Sequence, residues 1–131
     1  MPILKAAAAY FAIVFAIGFV LGTIRVLFVI PQFGPLPATL MELPLMLIAS
    51  WFAAGWAITK FGVPAAISDR LLMGAIAFIL LMTGETLLGL GFGRSLAAQW
   101  ADLKTPAGTA GLAGQVGFGL IPFLLLAFGR R

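Results

Sequence analysis

Apolar residues fill four long stretches of the chain, each about as long as a helix that crosses a bilayer. A hydrocarbon core about 30 Å thick requires roughly 20 apolar residues of α-helix. The stretches are too long for the strands of a membrane barrel, and they lack the alternation of apolar and polar residues that such strands show. The pattern therefore predicts four transmembrane helices, over residues 6–30, 38–59, 71–91 and 107–128.

Residues that favour turns separate the predicted spans, because glycine and proline interrupt regular structure. A serine before the third span and a Thr-Pro pair before the fourth are typical of helix N-termini, where a side-chain oxygen caps free N–H groups. Short connections predict an all-α integral membrane protein, an up-down bundle that forms one domain over residues 1–131. The boundary residues are Pro31, Gly34, Pro35, Pro37, Gly62, Pro64, Ser68, Thr105 and Pro106.

The segment between the third and fourth spans has an apolar spacing of its own. Leu96, Trp100 and Leu103 are separated by four and three residues, which places them on one face of a helix. We predict a short amphipathic helix in the membrane interface, with Trp100 at the level of the lipid headgroups. An ordinary polar loop is the alternative.

The composition excludes a soluble protein. Hydrophobic residues make up 63% of the 131 residues and charged residues 9%, and the mean hydropathy is +1.16. A soluble domain has about a quarter of its residues charged, so this chain has too few charges to cover a surface that faces water. The net charge of +4 is dispersed at the ends of apolar runs rather than clustered, which argues against a nucleic-acid partner.

Lysine and arginine residues predict the orientation. The end that holds both termini carries Lys5, Lys60, Arg70, Arg130 and Arg131, whereas the opposite end carries Arg94 and Lys104. Cytoplasmic loops have an excess of such residues. We therefore expect an inner (plasma) membrane protein with both termini in the cytoplasm.

The absence of His and Cys from the sequence limits the chemistry that this chain can provide alone. It excludes His-ligated haem, a zinc site, a thiol nucleophile and a Ser-His-Asp triad. We accordingly expect no metal and no cofactor, and an enzyme is the less favoured class.

Each predicted span places one charged or amide side chain on its face of small residues: Arg25, Glu42, Glu85 and Gln115. With a rise of about 1.5 Å per residue, all four lie roughly 7–13 Å from the same end of their helices. Charges at membrane depth are costly and normally face the protein interior. We predict that the four residues meet in the outer half of the bundle. Glu42 is the expected partner of Arg25, and Glu85 is the candidate for a carboxyl that takes up a proton.

Small residues accompany the polar positions and mark where membrane helices pack closely. The predicted packing glycines are Gly18, Gly22, Gly108, Gly111 and Gly119. Pro44 and Pro122 are hinge candidates, because a proline inside a helix leaves a carbonyl without its donor, here that of Leu40 or Phe118. Static kinks whose free carbonyls bond to neighbours are the alternative.

These features favour a non-enzymatic accessory or assembly subunit, or a binding protein with a buried polar cluster. Its expected partners are the lipid bilayer and either further copies of itself or another membrane protein. A small oligomeric transporter or channel that uses Glu85 for proton or cation coupling is the first alternative, and a lipid-binding protein is the second. A purely structural role of the cluster, as a contact that sets helix register, is equally compatible with the sequence.

Overall fold

The computed structural model describes residues 2–128, and within this range the chain forms helices and no β-strand. Four helical segments are long and apolar enough to cross a membrane: Pro2–Phe33, Pro35–Phe61, Ile67–Gly91 and Pro106–Ala127. This confirms the all-helical class and the four predicted segments, and it indicates a multi-pass membrane protein. The first three segments begin about one helical turn earlier than expected. The apolar pattern identifies the part of each helix that is suited to lipid, and it does not show where the helix itself begins.

The first segment changes its hydrogen-bonding pattern near its C-terminal end. There the N–H of Ile30 donates to the carbonyl of Arg25, five residues earlier. Pro31 follows this turn. Its ring has no N–H to donate and crowds the carbonyl of the residue four positions earlier, and a wider helical turn relieves this crowding. The chain then reverses at Gly34 alone, where φ is +86°, so helix extends into the region predicted as a turn. The pieces are α1 (Pro2–Ile24), a π-helical turn (Arg25–Val29) and α2 (Ile30–Phe33).

The later helices begin with different N-terminal caps. The side chains of Ser95 and Thr105 accept backbone N–H groups, as expected for N-caps. The prediction that Ser68 caps a helix is wrong, because Ala66 holds the N-cap position without a capping side chain. Asp69 places a negative charge in that first turn, which favours the positive end of the helix dipole. These helices are α3 (Pro35–Phe61), α4 (Ile67–Gly91), α5 (Leu96–Asp102) and α6 (Pro106–Ala127).

The short helix α5 connects the third and fourth long segments, as the apolar spacing predicts. Two of its apolar side chains, Leu96 and Trp100, are exposed. Exposed apolar side chains on a short connecting helix fit the predicted location in a membrane interface, which stays a prediction.

Each of the four long helices packs against two others. α1 contacts α3 and α4, and α6 contacts the same two helices. The consecutive helices α3 and α4 therefore lie on one diagonal of the bundle, and α1 and α6 lie on the other. The five-residue connection from Gly62 to Ala66 consequently crosses the bundle rather than joining adjacent helices.

One end of the bundle, which contains Tyr10, Arg70 and Pro122 and which we call the closed end, is tightly packed. All three of these side chains are less than 2% exposed. A Cβ added at Gly74 would overlap the carbonyl oxygen of Gly119. α4 and α6 thus touch backbone to backbone at this level, as only residues without a side chain permit.

The sequence indicates that Arg70 is a charge at the end of the bundle, whereas the structure buries it. Its side chain is fully buried, with Nε donating to the carbonyl of Pro64 at 3.2 Å and Nη1 to that of Pro122 at 3.1 Å. It therefore ties the α3–α4 connection to α6 and does not act as a free charge of a loop. Two other residues of the orientation count, Arg130 and Arg131, lie outside the described residues.

Tyr10 supplies the hydrogen bond that Pro122 removes from α6. Because proline has no N–H, the carbonyl of Phe118 lacks its donor within the helix. The Tyr10 hydroxyl donates to this carbonyl at 2.6 Å, and the rings of Tyr10 and Phe118 stack with their centroids 4.3 Å apart. This is the arrangement expected of a static kink. Pro44 lies inside α3, which continues past it as a single helix, and a hinge role stays a prediction for both prolines.

We predict that Gly74→Ala destabilises the protein, because the new methyl group meets the Gly119 backbone rather than a movable side chain. Overpacking of this kind costs about 1–3 kcal/mol. Thermal unfolding in one detergent, followed by tryptophan fluorescence, should give a lower Tm. Gly111→Ala is the matched control, since no described atom lies within 4 Å of a Cβ there. Equal Tm values for both variants would contradict the backbone contact.

We also predict that the cost of Tyr10→Phe depends on Pro122. In the natural chain, the substitution leaves a buried carbonyl without a donor, which costs about 1–3 kcal/mol. Pro122→Ala restores an N–H that can donate to Phe118 within the helix, so Tyr10→Phe should cost much less in that background. Tm values of the four proteins in the cycle measure the difference. The same cost in both backgrounds would disprove this role of the Tyr10 hydroxyl.

Candidate functional site

Beyond the closed end, the four long helices surround a cavity of about 1600 Å³. Pockets for small molecules usually measure about 300–1,000 Å³, so this space can hold a ligand of considerable size. Most of its lining is apolar, and all four long helices, the π-helical turn and α5 contribute to it. The half of the bundle that holds the cavity, toward Gly34, Phe92 and Pro106, is called the open end below.

Buried residues form the floor of the cavity, between it and the closed end. Val14, Ser50, Leu81 and Phe118 line the cavity and are each at most 5% exposed. Phe118 is also the residue whose carbonyl accepts the Tyr10 hydroxyl. The floor is therefore continuous with the best-packed part of the molecule, which makes the cavity a cup rather than a channel in this structure.

The four polar residues predicted to meet all line the cavity, and they form two pairs. Nη1 of Arg25 lies 2.5 Å from Oε2 of Glu42, and both side chains are largely covered, with 33% and 13% exposed. Nε2 of Gln115 donates to Oε1 of Glu85. Arg25 and Glu42 lie within electrostatic range of Glu85, so the pairs form one polar cluster. One long helix or its π-helical extension contributes each residue.

The direction of side chains on antiparallel helices explains how Glu85 reaches Gln115. α4 and α6 run in opposite directions, because Arg70 faces Pro122 and Gly74 faces Gly119. Side chains on a helix lean toward its N-terminus. Glu85 therefore leans toward the closed end and Gln115 toward the open end, so the two meet although their backbones are at different levels.

Two further charged residues of the lining form a second ion pair where α5 meets the cavity. Arg94 and Asp102 approach to 2.5 Å, and about half of each side chain is exposed. Exposed pairs contribute little to stability, about 0–1 kcal/mol. Their effect on the cavity is to cancel each other's charge.

Gln99 holds α5 against α4. Its Nε2 donates to the carbonyls of Thr86 at 3.4 Å and Arg94 at 3.2 Å. A Cβ at Gly89 would lie 2.7 Å from the Gln99 side chain, so this glycine gives the amide room to reach α4. The sequence did not indicate Gln99 as a site residue, because the periodicity of a single seven-residue helix does not show which neighbour its polar face meets.

The predicted packing glycines differ in what they contact. A Cβ added at Gly18 would lie 3.4 Å from the Met46 side chain, and one added at Gly119 would lie 3.4 Å from Phe78, so both glycines lie close to a neighbouring helix. Gly108 packs against the backbone of residues 102 and 103, just before its own helix, rather than against another long helix. Further close contacts involve Gly74, Gly84, Gly89, Gly114 and Gly117.

Gly22 and Gly111 do not contact a neighbouring helix among the described residues, and a packing role for these two residues stays a prediction. The nearest side chain to a Cβ at Gly22 is Arg25 of the same segment, and no described atom lies within 4 Å at Gly111. Both residues line the cavity. Because the helices enclose space at this level, the missing side chains add to the cavity instead of bringing helices together.

The cluster can bind a ligand by charge and hydrogen bonds, but it has the donor set of no common metal site. Within residues 2–128, no three His, Cys, Asp or Glu side chains converge. Comparisons with protein-family models, with curated proteins and with solved structures found no match to this chain. Its own geometry defines the class, which is a helical protein of multi-pass membrane type with an internal cavity.

We predict that Arg25 and Glu42 are energetically coupled. Arg25→Ala or Glu42→Ala alone leaves a largely covered charge without its partner, whereas the double variant removes both charges. Pairs in direct contact show coupling energies of about 0.5–3 kcal/mol. Each single variant should therefore lower the Tm, and the double variant should recover part of the loss. Additive losses over the four proteins would show that the contact contributes nothing.

Proposed function

We propose that this chain is a multi-pass membrane protein that binds a small amphiphilic molecule in its cavity and performs no covalent chemistry on it. The supporting observation is an apolar cavity of about 1600 Å³ with the side chains of Arg25, Glu42, Glu85 and Gln115 together on its wall. Ligand sites are typically concave and apolar, with a few convergent polar groups that orient the ligand. An amphiphile would place its polar group at the cluster.

We further propose that the four long helices cross an inner membrane in up-down order, with the cavity in the outer half and both termini in the cytoplasm. The antiparallel pairings of α1 with α3 and of α4 with α6 support this order. Large apolar side chains, such as Phe52, Ile79 and Leu87, are exposed on the outside of the helices. Lipid contact accounts for such a surface, because hydrocarbon solvates it without cost.

An accessory role and a transport role are both compatible with this binding function. As an accessory or assembly subunit, the chain would offer its exposed helix faces to a second copy or to another membrane protein. As a transporter or channel, it would use Glu85 for coupling, and the floor at Phe118, to which Tyr10 is bonded, would have to open. A lipid is one molecule that could fill the cavity. Ligand binding is the step common to these alternatives.

Filling the cavity should abolish binding without disturbing the fold. Gly111→Phe adds a large side chain where the structure has space, on the cavity wall. Gly91→Phe is the matched control, because Gly91 also has no described neighbour within 4 Å of a Cβ but does not line the cavity. The measurement is native mass spectrometry of protein extracted gently from its own membrane, with Tm as the check on folding.

We expect a small-molecule adduct on the natural chain and on Gly91→Phe, and its loss from Gly111→Phe. A folded natural chain without an adduct would disprove the proposed function. An adduct that persists equally in Gly111→Phe would place binding elsewhere on the molecule. A mass that requires a second polypeptide would support the accessory role, and a multiple of 13.8 kDa would support a homo-oligomer.

A further inference from the structure

The charged residues of the cavity lining do not balance, and the imbalance is located at Glu85. Five charged side chains line the cavity. Arg25 is paired with Glu42, and Arg94 is paired with Asp102. Glu85 has no cationic partner within 4 Å among the described residues, since its hydrogen bond comes from the neutral amide of Gln115. The cavity therefore has one carboxylate that its own cations do not neutralise.

The hydrogen bonding of Glu85 is incomplete as well. Gln115 donates to one carboxylate oxygen, and among residues 2–128 no side-chain or backbone donor reaches the other. A carboxylate offers about four acceptor positions. The Glu85 side chain is exposed to the cavity rather than covered by packing. Charges in apolar surroundings are normally paired. The carboxylate oxygen of Glu85 that has no donor is therefore a position where a molecule that enters the cavity can bind.

The surroundings of Glu85 favour an organic cation over a metal ion. Hard metal cations such as Ca²⁺ take about six to eight oxygen ligands, whereas no cluster of three possible ligand side chains exists in the described part of the chain. Apolar side chains dominate the wall, and Phe15, Phe19 and Phe118 are among them. Aromatic faces attract cations that are weakly hydrated, and apolar walls stabilise an apolar ligand body.

We infer that the molecule bound in the cavity is a monovalent organic cation with an apolar body, whose positive charge pairs with the Glu85 carboxylate beside Gln115. This inference rests on the proposed function and adds the charge and chemical class of the ligand. A free amphiphilic ammonium compound and a lipid with an ammonium headgroup share this chemistry. The pairing leaves the Arg25–Glu42 contact intact, because that pair already balances its own charges.

The test compares two probes of similar shape and opposite charge, tetraphenylphosphonium and tetraphenylborate. Binding of each to the protein in lipid nanodiscs is measured by equilibrium dialysis, and empty nanodiscs of the same lipids give the background. Glu85→Gln removes the charge and keeps a side chain that can bond to Gln115. Asp69→Asn is the matched control, since it removes the same charge from α4 at the closed end, away from the cavity lining.

We expect the natural chain to bind the phosphonium at least about tenfold more tightly than the borate. Glu85→Gln should weaken phosphonium binding by about tenfold or more, the range for loss of a desolvated charge partner, and Asp69→Asn should leave it unchanged. Equal affinity for both probes, or unchanged binding in Glu85→Gln, would overturn the inference. The probe preference of the natural chain decides the question even if Glu85→Gln fails to fold.

The natural adduct separates failure of this inference from failure of the proposed function. An adduct that carries an ammonium group supports the inference, and its mass and fragmentation distinguish a free amine from a lipid. A neutral or anionic adduct that is lost in Gly111→Phe would overturn the cation assignment while the proposed binding function stands. Absence of both the adduct and phosphonium binding would overturn both.

Discussion

The backbone contact between Gly74 and Gly119 sets how closely α4 approaches α6, and the rest of the bundle depends on it. At that distance, Arg70 reaches the carbonyl of Pro122. Phe118, next to Gly119, faces Tyr10 across the bundle. Since a helix is a stiff rod, the close contact at this end sets the point from which α4 and α6 extend toward the cavity. The tightly packed closed end and the cavity beyond it are two consequences of the same packing.

The polar side chains of the two ends differ in what they bond to, and this difference supports the proposed binding function. At the closed end, the hydroxyl of Tyr10 and two nitrogens of Arg70 donate to backbone carbonyls, and Nη2 of Arg70 is the buried side-chain atom without a partner among the described residues. At the open end, Arg25 and Glu42 neutralise each other. Glu85 has only an amide partner and faces space. Structural contacts between helices do not require that space, whereas binding does.

Glycines of α6 have different surroundings, depending on whether a side chain of α3 or the cavity lies next to them. Gly114 and Gly117 lie against Leu43 and Leu47, whereas Gly111, one turn earlier in the same helix, faces open space. The π-helical turn that begins at Arg25 similarly lies within the cavity wall. Wider helical turns occur frequently at functional sites, and here the turn begins at the residue that pairs with Glu42.

The sequence by itself determined the four apolar helices, their separation by short connections, the Thr105 cap and the placement of Arg25, Glu42, Glu85 and Gln115 in four different helical segments. These features follow from local rules, because helix rise, capping and hydropathy depend only on nearby residues. The tertiary structure alone decided that Arg70 is buried, that Gly111 lines a cavity rather than a helix contact, and that Glu85 has a neutral partner. Each of these depends on the rotation and separation of helices distant in the chain, and glycine faces permit close contact without showing which contact forms.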